Sequence, residues 1–365
     1  MRIYGNKPVE SDVSESRLLD LVTRQLSTHY KQGAFDVKKD GEFVYVTPVL
    51  PTEYNIQAEN SNIFRILYQV FFPFYTVLNT PKADIVATES NALETARALR
   101  YRLLKGKPTQ LKINGVDELI SNRNFKINNQ VSIDMNDVTH VLVTGQSGSG
   151  KSYTTNLIMD IIATMSRKNI YKAKMTIIDP KLSSLSDWSL KNSDVVECLM
   201  MPNAEFSNDN DLLTQVNEEL QRLCAEMTQR QQKMLNNQGS AQQFEHKWLI
   251  IDEVIGLQVS ASKPAKENFH NNLSKLLVMG REVNIHVMLI SQSFDSKWVP
   301  VVAREQANLL IAMGVGNQLR FMFDSSEVDD VVIPYERGGG LLKIIDNKHP
   351  SQLLPVIFPC RKEVR

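Results

Sequence analysis

The sequence predicts an α/β fold, a parallel sheet with helices on both faces, joined to a smaller α+β N-terminal domain. Short runs that are apolar throughout recur from about residue 131, at Val141–Thr144, Met175–Ile178, Trp248–Ile251, Val287–Ser291 and Leu309–Met313. Strands buried on both faces of a parallel sheet have this composition, and segments of helical length separate the runs. The first run opens into Gly145-Gln146-Ser147-Gly148-Ser149-Gly150-Lys151-Ser152, a complete GxxxxGK[ST] loop. The third ends in two carboxylates, Asp252 and Glu253. A 365-residue chain has room for two domains, and the change of pattern divides it into 1–130 and 131–365.

In the N-terminal region, Leu18, Leu19, Leu21, Val22 and Leu26 follow helical spacing between Ser14 and His29. Alternating Phe43 and Tyr45 mark a strand that ends at Thr47-Pro48. The most apolar stretch, 63–78, contains Arg65, Gln69 and Pro73 and is shorter than the roughly 18–20 residues of a spanning helix. It reads as a buried helix or strand pair; the alternative is a surface that docks on a membrane protein or bilayer. Ser90 with Glu94, followed by Ala92, Leu93, Ala96, Ala98 and Leu99, predicts a helix to about Leu104, stopped by Lys105-Gly106-Lys107-Pro108. Arg97, Arg100, Arg102, Lys105, Lys107 and Lys112 lie in a window without acidic residues. That patch reads equally as a solvated helix end or as a phosphate-contacting surface.

Forty-one Lys+Arg balance 41 Asp+Glu, so nucleic-acid binding through bulk positive charge is excluded and any such contact is local. Cys198, Cys224 and Cys360 are far apart, suggesting neither a disulfide framework nor a zinc site. The segment Met1 to Pro8 lacks a secretory or transit pattern. The expected location is cytoplasmic, with membrane recruitment only through a partner.

The phosphate loop sits in the required context, after an apolar strand and before a helix expected over Tyr153–Met165. Gly145, Gln146, Ser147, Gly148, Ser149, Gly150, Lys151, Ser152 and Tyr153 form the candidate ATP-binding set. Its glycines let backbone N–H groups turn toward phosphates, and the helix N-terminus adds partial positive charge. Lys151 is expected on the β/γ-phosphates, and Ser152 with Asp252 on Mg²⁺. Glu253 is the candidate general base, and Gln292, ending its strand, a γ-phosphate sensor or water-positioning group. Arg281 follows Gly280 after a helix expected over Asn271–Met279 and is a candidate for stabilising phosphoryl charge, with Arg304 and Arg320 as competitors. Whether any of them acts in its own subunit or across an interface is left open.

Thr139 to Val143 running through the loop to Asn156 resembles the "PHLLVAG…GSGKS…N" segment of the FtsK/SpoIIIE DNA translocases. The likeness recurs in order. Ile177 to Lys181 resembles "IDPK", Glu226-Met227 with Arg230 "EMxxR", and Leu249 to Val254 the second acidic motif. Gly280-Arg281, Ile285-His286 and Ser291-Gln292 resemble "GRxxGIH…TQ", Ala307-Asn308 "AN", and Gly338 to Leu342 the terminal "GxGDML" stretch. The family's "TQRP" reads Ser291-Gln292-Ser293-Phe294 here, and the acid usually found shortly after the Asp-Glu pair is replaced near Gly256. The resemblance implies a RecA-like P-loop NTPase fold over 131–365 and an ATP-driven pump of double-stranded DNA in a hexameric ring. It gives the N-terminal domain a role in oligomerisation or in docking DNA or a partner. No membrane anchor and no sequence-reading winged helix are expected within these residues, so plasmid or mobile-element DNA transfer or replication is the expected setting. The alternative is a nucleotide-dependent adaptor that recruits a relaxase, a replication initiator or a membrane channel.

Overall fold

The computed structural model describes residues 14–30, 35–49, 56–80, 82–93, 95–202, 209–236, 239–259, 261–314, 316–328, 331–334 and 336–362. Glu94 and the N-terminal segment read for targeting signals lie outside them. The chain forms two units. One comprises residues up to Thr109 with Ser325–Val332 and Gln352–Leu354; the other holds the rest. The division falls earlier than residue 130 because the short strands that follow Gln110 belong with the second unit.

The first unit runs α1 (Glu15–His29), β1 (Phe35–Asp40), β2 (Phe43–Pro48), α2 (Ile56–Phe71), β3 (Tyr75–Val77), β4 (Ile85–Ala87) and β5 (Arg97–Lys105). Its antiparallel sheet has the order β1-β2-β5-β3, and β4 also pairs with β5. Leu18, Val22 and Leu26 of α1 and Ile63, Phe64, Leu67 and Phe71 of α2 pack on Val44, Val46, Leu99, Tyr101 and Leu103. The apolar stretch is therefore mainly a buried helix. No helix among the described residues is long and apolar enough to cross a membrane.

The helix expected from Ser90 to Leu104 is corrected: 97–105 is a strand. Leu99, Tyr101 and Leu103 are buried while Arg100, Arg102 and Leu104 alternate with them, which is the two-residue period of a strand. Pairing with β2, β3 and β4 outweighs the helix propensity of the preceding alanines.

The second unit begins with β6 (Lys112–Ile113), β7 (Ile120–Ser121), β8 (Asn124–Lys126) and β9 (Ser132–Asp134). Then come β10 (Val141–Gly145), α3 (Lys151–Arg167), β11 (Ala173–Ile178), α4 (Ser184–Lys191), β12 (Val196–Met200) and α5 (Asp209–Leu235). They are followed by β13 (His246–Ile251), α6 (Val254–Gln258), α7 (Lys263–Met279), β14 (Ile285–Ser291), α8 (Val301–Arg304) and β15 (Leu309–Met313). The chain closes with β16 (Gly339–Ile344), β17 (Leu354–Ile357) and β18 (Cys360–Arg361). The sheet order is β12-β11-β13-β14-β10-β15-β16-β17, parallel from β12 to β15. All five expected strands are present within it. Right-handed crossovers put α3 and α4 on one face and α5, α7 and α8 on the other.

At the N-terminal ends of β13 and β14, aromatic rings stack inside the sheet. Tyr171 lies on His246 with centroids 3.9 Å apart, and Trp248 on His286 at 4.7 Å. His286 Nδ1 donates to the Thr139 carbonyl at 2.8 Å, which leaves Nε2 to accept from His246 Nδ1 at 2.8 Å. His140 accepts the Val287 amide at 3.0 Å. Burial, the largest cause, holds His140 and His246 down to about 3 and His286 to about 4.

These folded values lie below the ordinary 6.5, so the stack contributes its full stability above that pH and loses it as pH falls through 6.5 toward 4. Urea unfolding should show a loss on the order of 1 kcal/mol per histidine between about pH 7 and pH 5.5. A flat profile over that interval would show that the imidazoles are not held neutral.

Candidate active site

The phosphate loop connects the end of β10 to the start of α3. Gly148 and Gly150 take φ of +79° and +104°, backbone that side chains other than glycine resist. At Gly145 the constraint is space: an added Cβ would lie 2.8 Å from the Met313 carbonyl oxygen of the neighbouring strand. Lys151 folds back along the loop, its Nζ donating to the carbonyls of Gly145 at 2.6 Å and Gln146 at 3.1 Å. Burial lowers its pKa, against the pull of Glu253 and Asp252. Ser152 and Tyr153 sit exposed on the first turn of α3, where backbone N–H groups lack helical partners. The Tyr153 hydroxyl accepts from the Arg361 amide at 3.2 Å. Gln146 and Ser147 are exposed, and Ser149 closes the turn with its amide on the Gln146 carbonyl.

Parallel pairing aligns the strand ends beside this loop. Thr144 of β10 pairs with Ser291 of β14, and the Thr144 hydroxyl donates to the Gln292 carbonyl at 3.2 Å. One strand further, Glu253 follows β13 with φ +46° and ψ +64°, a left-handed conformation unusual for a residue with a side chain. The Glu253 residue is only 7% exposed. Its Oε2 accepts from Lys181 Nζ at 2.8 Å and from Gln292 Nε2 at 3.3 Å. The structure thus brings Glu253 and Gln292 together. Gly256 packs against this side chain, since a Cβ there would stand 3.3 Å from Glu253 Cγ. An acid in place of Gly256 would crowd the carboxylate.

Asp252 is held by its amide on the Ile178 carbonyl at 2.9 Å and by the Ser183 hydroxyl on Oδ2 at 3.1 Å. Burial, with Asp179 and Glu253 nearby, raises its pKa, while Ser183 and Lys181 oppose the rise. Fully buried Asp179 organises the loop after β11. Its Oδ2 accepts from the Ser183 amide and hydroxyl at 2.6 and 3.0 Å, and from the Ser186 amide and hydroxyl at 3.1 and 2.7 Å. The chemistry of this donor set fits Mg²⁺, which takes hard oxygen ligands. A cation is also what a carboxylate raised by burial beside two other acids would favour.

Arg281 is not brought to these groups within the chain. It precedes β14, whereas Gln292 follows it, and seven strand residues at about 3.3 Å each separate the two by roughly 20 Å. Arg304 is tied down elsewhere, donating to the carbonyls of Phe294 at 2.5 Å and Phe321 at 2.7 Å. Arg320 lies in the turn Asn317–Phe321.

Sequence reasoning assigned no role to Asp179, Lys181 or Ser183. The available signal was the buried-strand ending Ile177-Ile178-Asp179, followed at four and seven residues by Ser183 and Ser186. Proximity of Lys181 to Glu253 depends on β11 pairing with β13, which residue spacing does not report. Another unassigned feature is the loop after β15: a Cβ on Gly316 would lie 2.5 Å from Gln146 Nε2, so this glycine lets the loop close on the phosphate loop.

The family described as "AAA domain" matches residues 135–295. DNA translocase FtsK of Streptococcus pneumoniae (strain ATCC BAA-255 / R6) is 25% identical over 236 residues, 61% of this chain and 29% of that protein. DNA translocase FtsK of Treponema pallidum (strain Nichols) is 25% identical over 214 residues, 56% of this chain and 24% of that protein. The chain therefore spans less than a third of these relatives' length. Among solved structures, the pCW3 conjugation coupling protein TcpA, in its monomer form with ATPγS, superposes with a TM-score of 0.55. It is 15% identical, covers 93% of this chain and 94% of its own, and is a likeness of fold. The domain match runs across both the phosphate loop and the carboxylates, and the curated relatives carry the family name that the ordered motifs resemble, so the chain is similar to the FtsK/SpoIIIE-type P-loop ATPases.

Proposed function

We propose that this chain hydrolyses ATP and couples the cycle to movement of double-stranded DNA through a hexameric ring, in plasmid or mobile-element DNA transfer or replication. One observation carries the catalytic part of the reading: Glu253 and Gln292 meet at the strand ends next to the phosphate-loop strand. The relatives' name supports DNA as the substrate of the motion.

In this reading the loop N–H groups from Gln146 onward cradle the phosphates, and Lys151 exchanges the carbonyls of Gly145 and Gln146 for phosphate oxygens. Ser152 and Asp252 would hold Mg²⁺, which neutralises phosphate charge when bound. Glu253 accepts the proton of the attacking water, and Gln292 orients that water. Lys181 holds the Glu253 carboxylate in place before substrate arrives. Arg281, remote from its own chain's site, acts on the nucleotide of the neighbouring subunit. DNA is gripped through its phosphates, independent of sequence and sensitive to salt. A second reading, a nucleotide-dependent coupling protein that recruits a relaxase, an initiator or a channel, draws on the fold neighbour that covers nearly the whole chain. It is separated from the first by whether duplex DNA or a protein partner stimulates hydrolysis.

Replacing the base, Glu253→Gln, should cut the ATPase rate by about 10²–10⁴-fold while ATP affinity is kept. Undiminished duplex-stimulated hydrolysis in that variant would remove Glu253 from the mechanism. Lys181→Met strands a nearly buried carboxylate and should cost on the order of 1–2 kcal/mol in denaturant unfolding, less than a fully buried pair because Lys181 is half exposed. Adding Glu253→Gln to Lys181→Met should recover most of that loss. Strictly additive single variants would mean that the two side chains do not interact in solution.

A further inference from the structure

The basic window of the N-terminal region finds no use in the ATPase site, and its strand geometry changes what it can do. Because β5 alternates, Arg100 and Arg102 point to the face of the sheet opposite the core formed with α1 and α2. On β2, Phe43 and Tyr45 alternate with buried Val44 and Val46 and share that outer face. Register places Arg102 beside Phe43 and Arg100 beside Tyr45, and Tyr45 is in turn beside Lys38 of β1.

These groups are stacked. The guanidinium carbons of Arg100 and Arg102 lie 5.0 and 5.7 Å from the Phe43 ring centroid, and the Phe43 and Tyr45 centroids are 6.5 Å apart. Asp84 takes Arg100 Nε at 2.8 Å and Glu42 takes one Nη of Arg102 at 2.9 Å. Each carboxylate fixes a guanidinium beside the ring. The Arg102 Nε is buried and has no hydrogen-bond partner among the described residues. On β1, Asp36, Lys38 and Asp40 share this outer face, with Asp40 beside Phe43 and Lys38 paired to Asp36 at 2.8 Å, so the arginines of β5 stand on the side of the aromatic strip away from these acids.

We propose that this sheet face, centred on Phe43, Tyr45, Arg100 and Arg102, binds single-stranded nucleic acid, stacking unpaired bases on its rings and guanidinium planes and meeting phosphates with its cations. Half-buried aromatics interleaved with arginines on one face of an antiparallel sheet present flat surfaces to bases and positive charge to the backbone. A duplex keeps its base faces stacked inside and could use only the charge. Complementarity is local to the β2–β5 strip, consistent with a chain of zero net charge.

The experiment measures binding of a labelled oligothymidylate and of a labelled hairpin duplex to the full chain without nucleotide, by fluorescence anisotropy at two salt concentrations. Tyr45→Leu and Phe43→Leu should each weaken the oligothymidylate complex roughly tenfold, as loss of one stacking position does. Tyr45→Phe, which keeps the ring, should bind like the wild type, and duplex affinity should be unchanged in all three. Thermal unfolding monitors the fold, and Tyr45→Leu against Tyr45→Phe carries the test if Phe43→Leu lowers the midpoint. Equal affinities for Tyr45→Leu and Tyr45→Phe would overturn the proposal. Parallel losses on duplex and oligothymidylate would overturn it in favour of a phosphate patch, and absence of salt-sensitive oligothymidylate binding in the wild type in favour of a protein-docking face.

Discussion

Parallel pairing of β11, β13, β14 and β10 brings the C-terminal ends of four strands into line, and the chemistry of the second unit depends on that alignment. Asp179, Asp252 with Glu253, Gln292 and the phosphate loop each follow one of these strands. They are up to 147 positions apart in the chain between Gly145 and Gln292, yet they stand on neighbouring strands. Hydrogen bonds then cross from strand to strand, Ser183 to Asp252, Lys181 and Gln292 to Glu253, and Thr144 to Gln292. Strands buried on both faces can hold such a register because a slip would break their ladders and disturb packing on both sides.

The site concentrates acids that would repel one another without donors. Asp179 is met by four hydrogen bonds on one oxygen, Glu253 by an ammonium and an amide, and Asp252 by a single hydroxyl. That ordering explains why burial dominates at Asp252, whose carboxyl is raised. Lys151 bonded to two carbonyls of its own loop is likewise a cation accommodated by backbone oxygen. The Ser183 hydroxyl is shared between Asp179 and Asp252, and the four bonds on Asp179 shape the loop that carries it.

The first unit solves a different problem with the same elements. Two amphipathic helices cover one face of an antiparallel sheet and leave the other to charged and aromatic residues. Tyr101 marks the boundary: its ring is buried and its hydroxyl is satisfied by Asn60 Oδ1 at 2.7 Å. The outer arginines are held by carboxylates next to the strand ends, Asp84 before β4 and Glu42 before β2, which orders these long side chains while leaving them partly exposed.

The sequence by itself determined the phosphate loop, the Asp252–Glu253 pair, the parallel strands and the placement of Gln292 at a strand end, since each is local: a run of apolar residues, a spacing, a glycine that a turn requires. It did not determine β5, because Arg97 to Lys105 carries both helix-forming residues and a two-residue alternation, and only three paired strands choose between them. Tertiary structure alone decided that Lys181 meets Glu253 and that Ser183 bridges Asp179 and Asp252. Both follow from the pairing of β11 with β13, which sets distances between residues remote in the chain and leaves no mark in the spacing of neighbours.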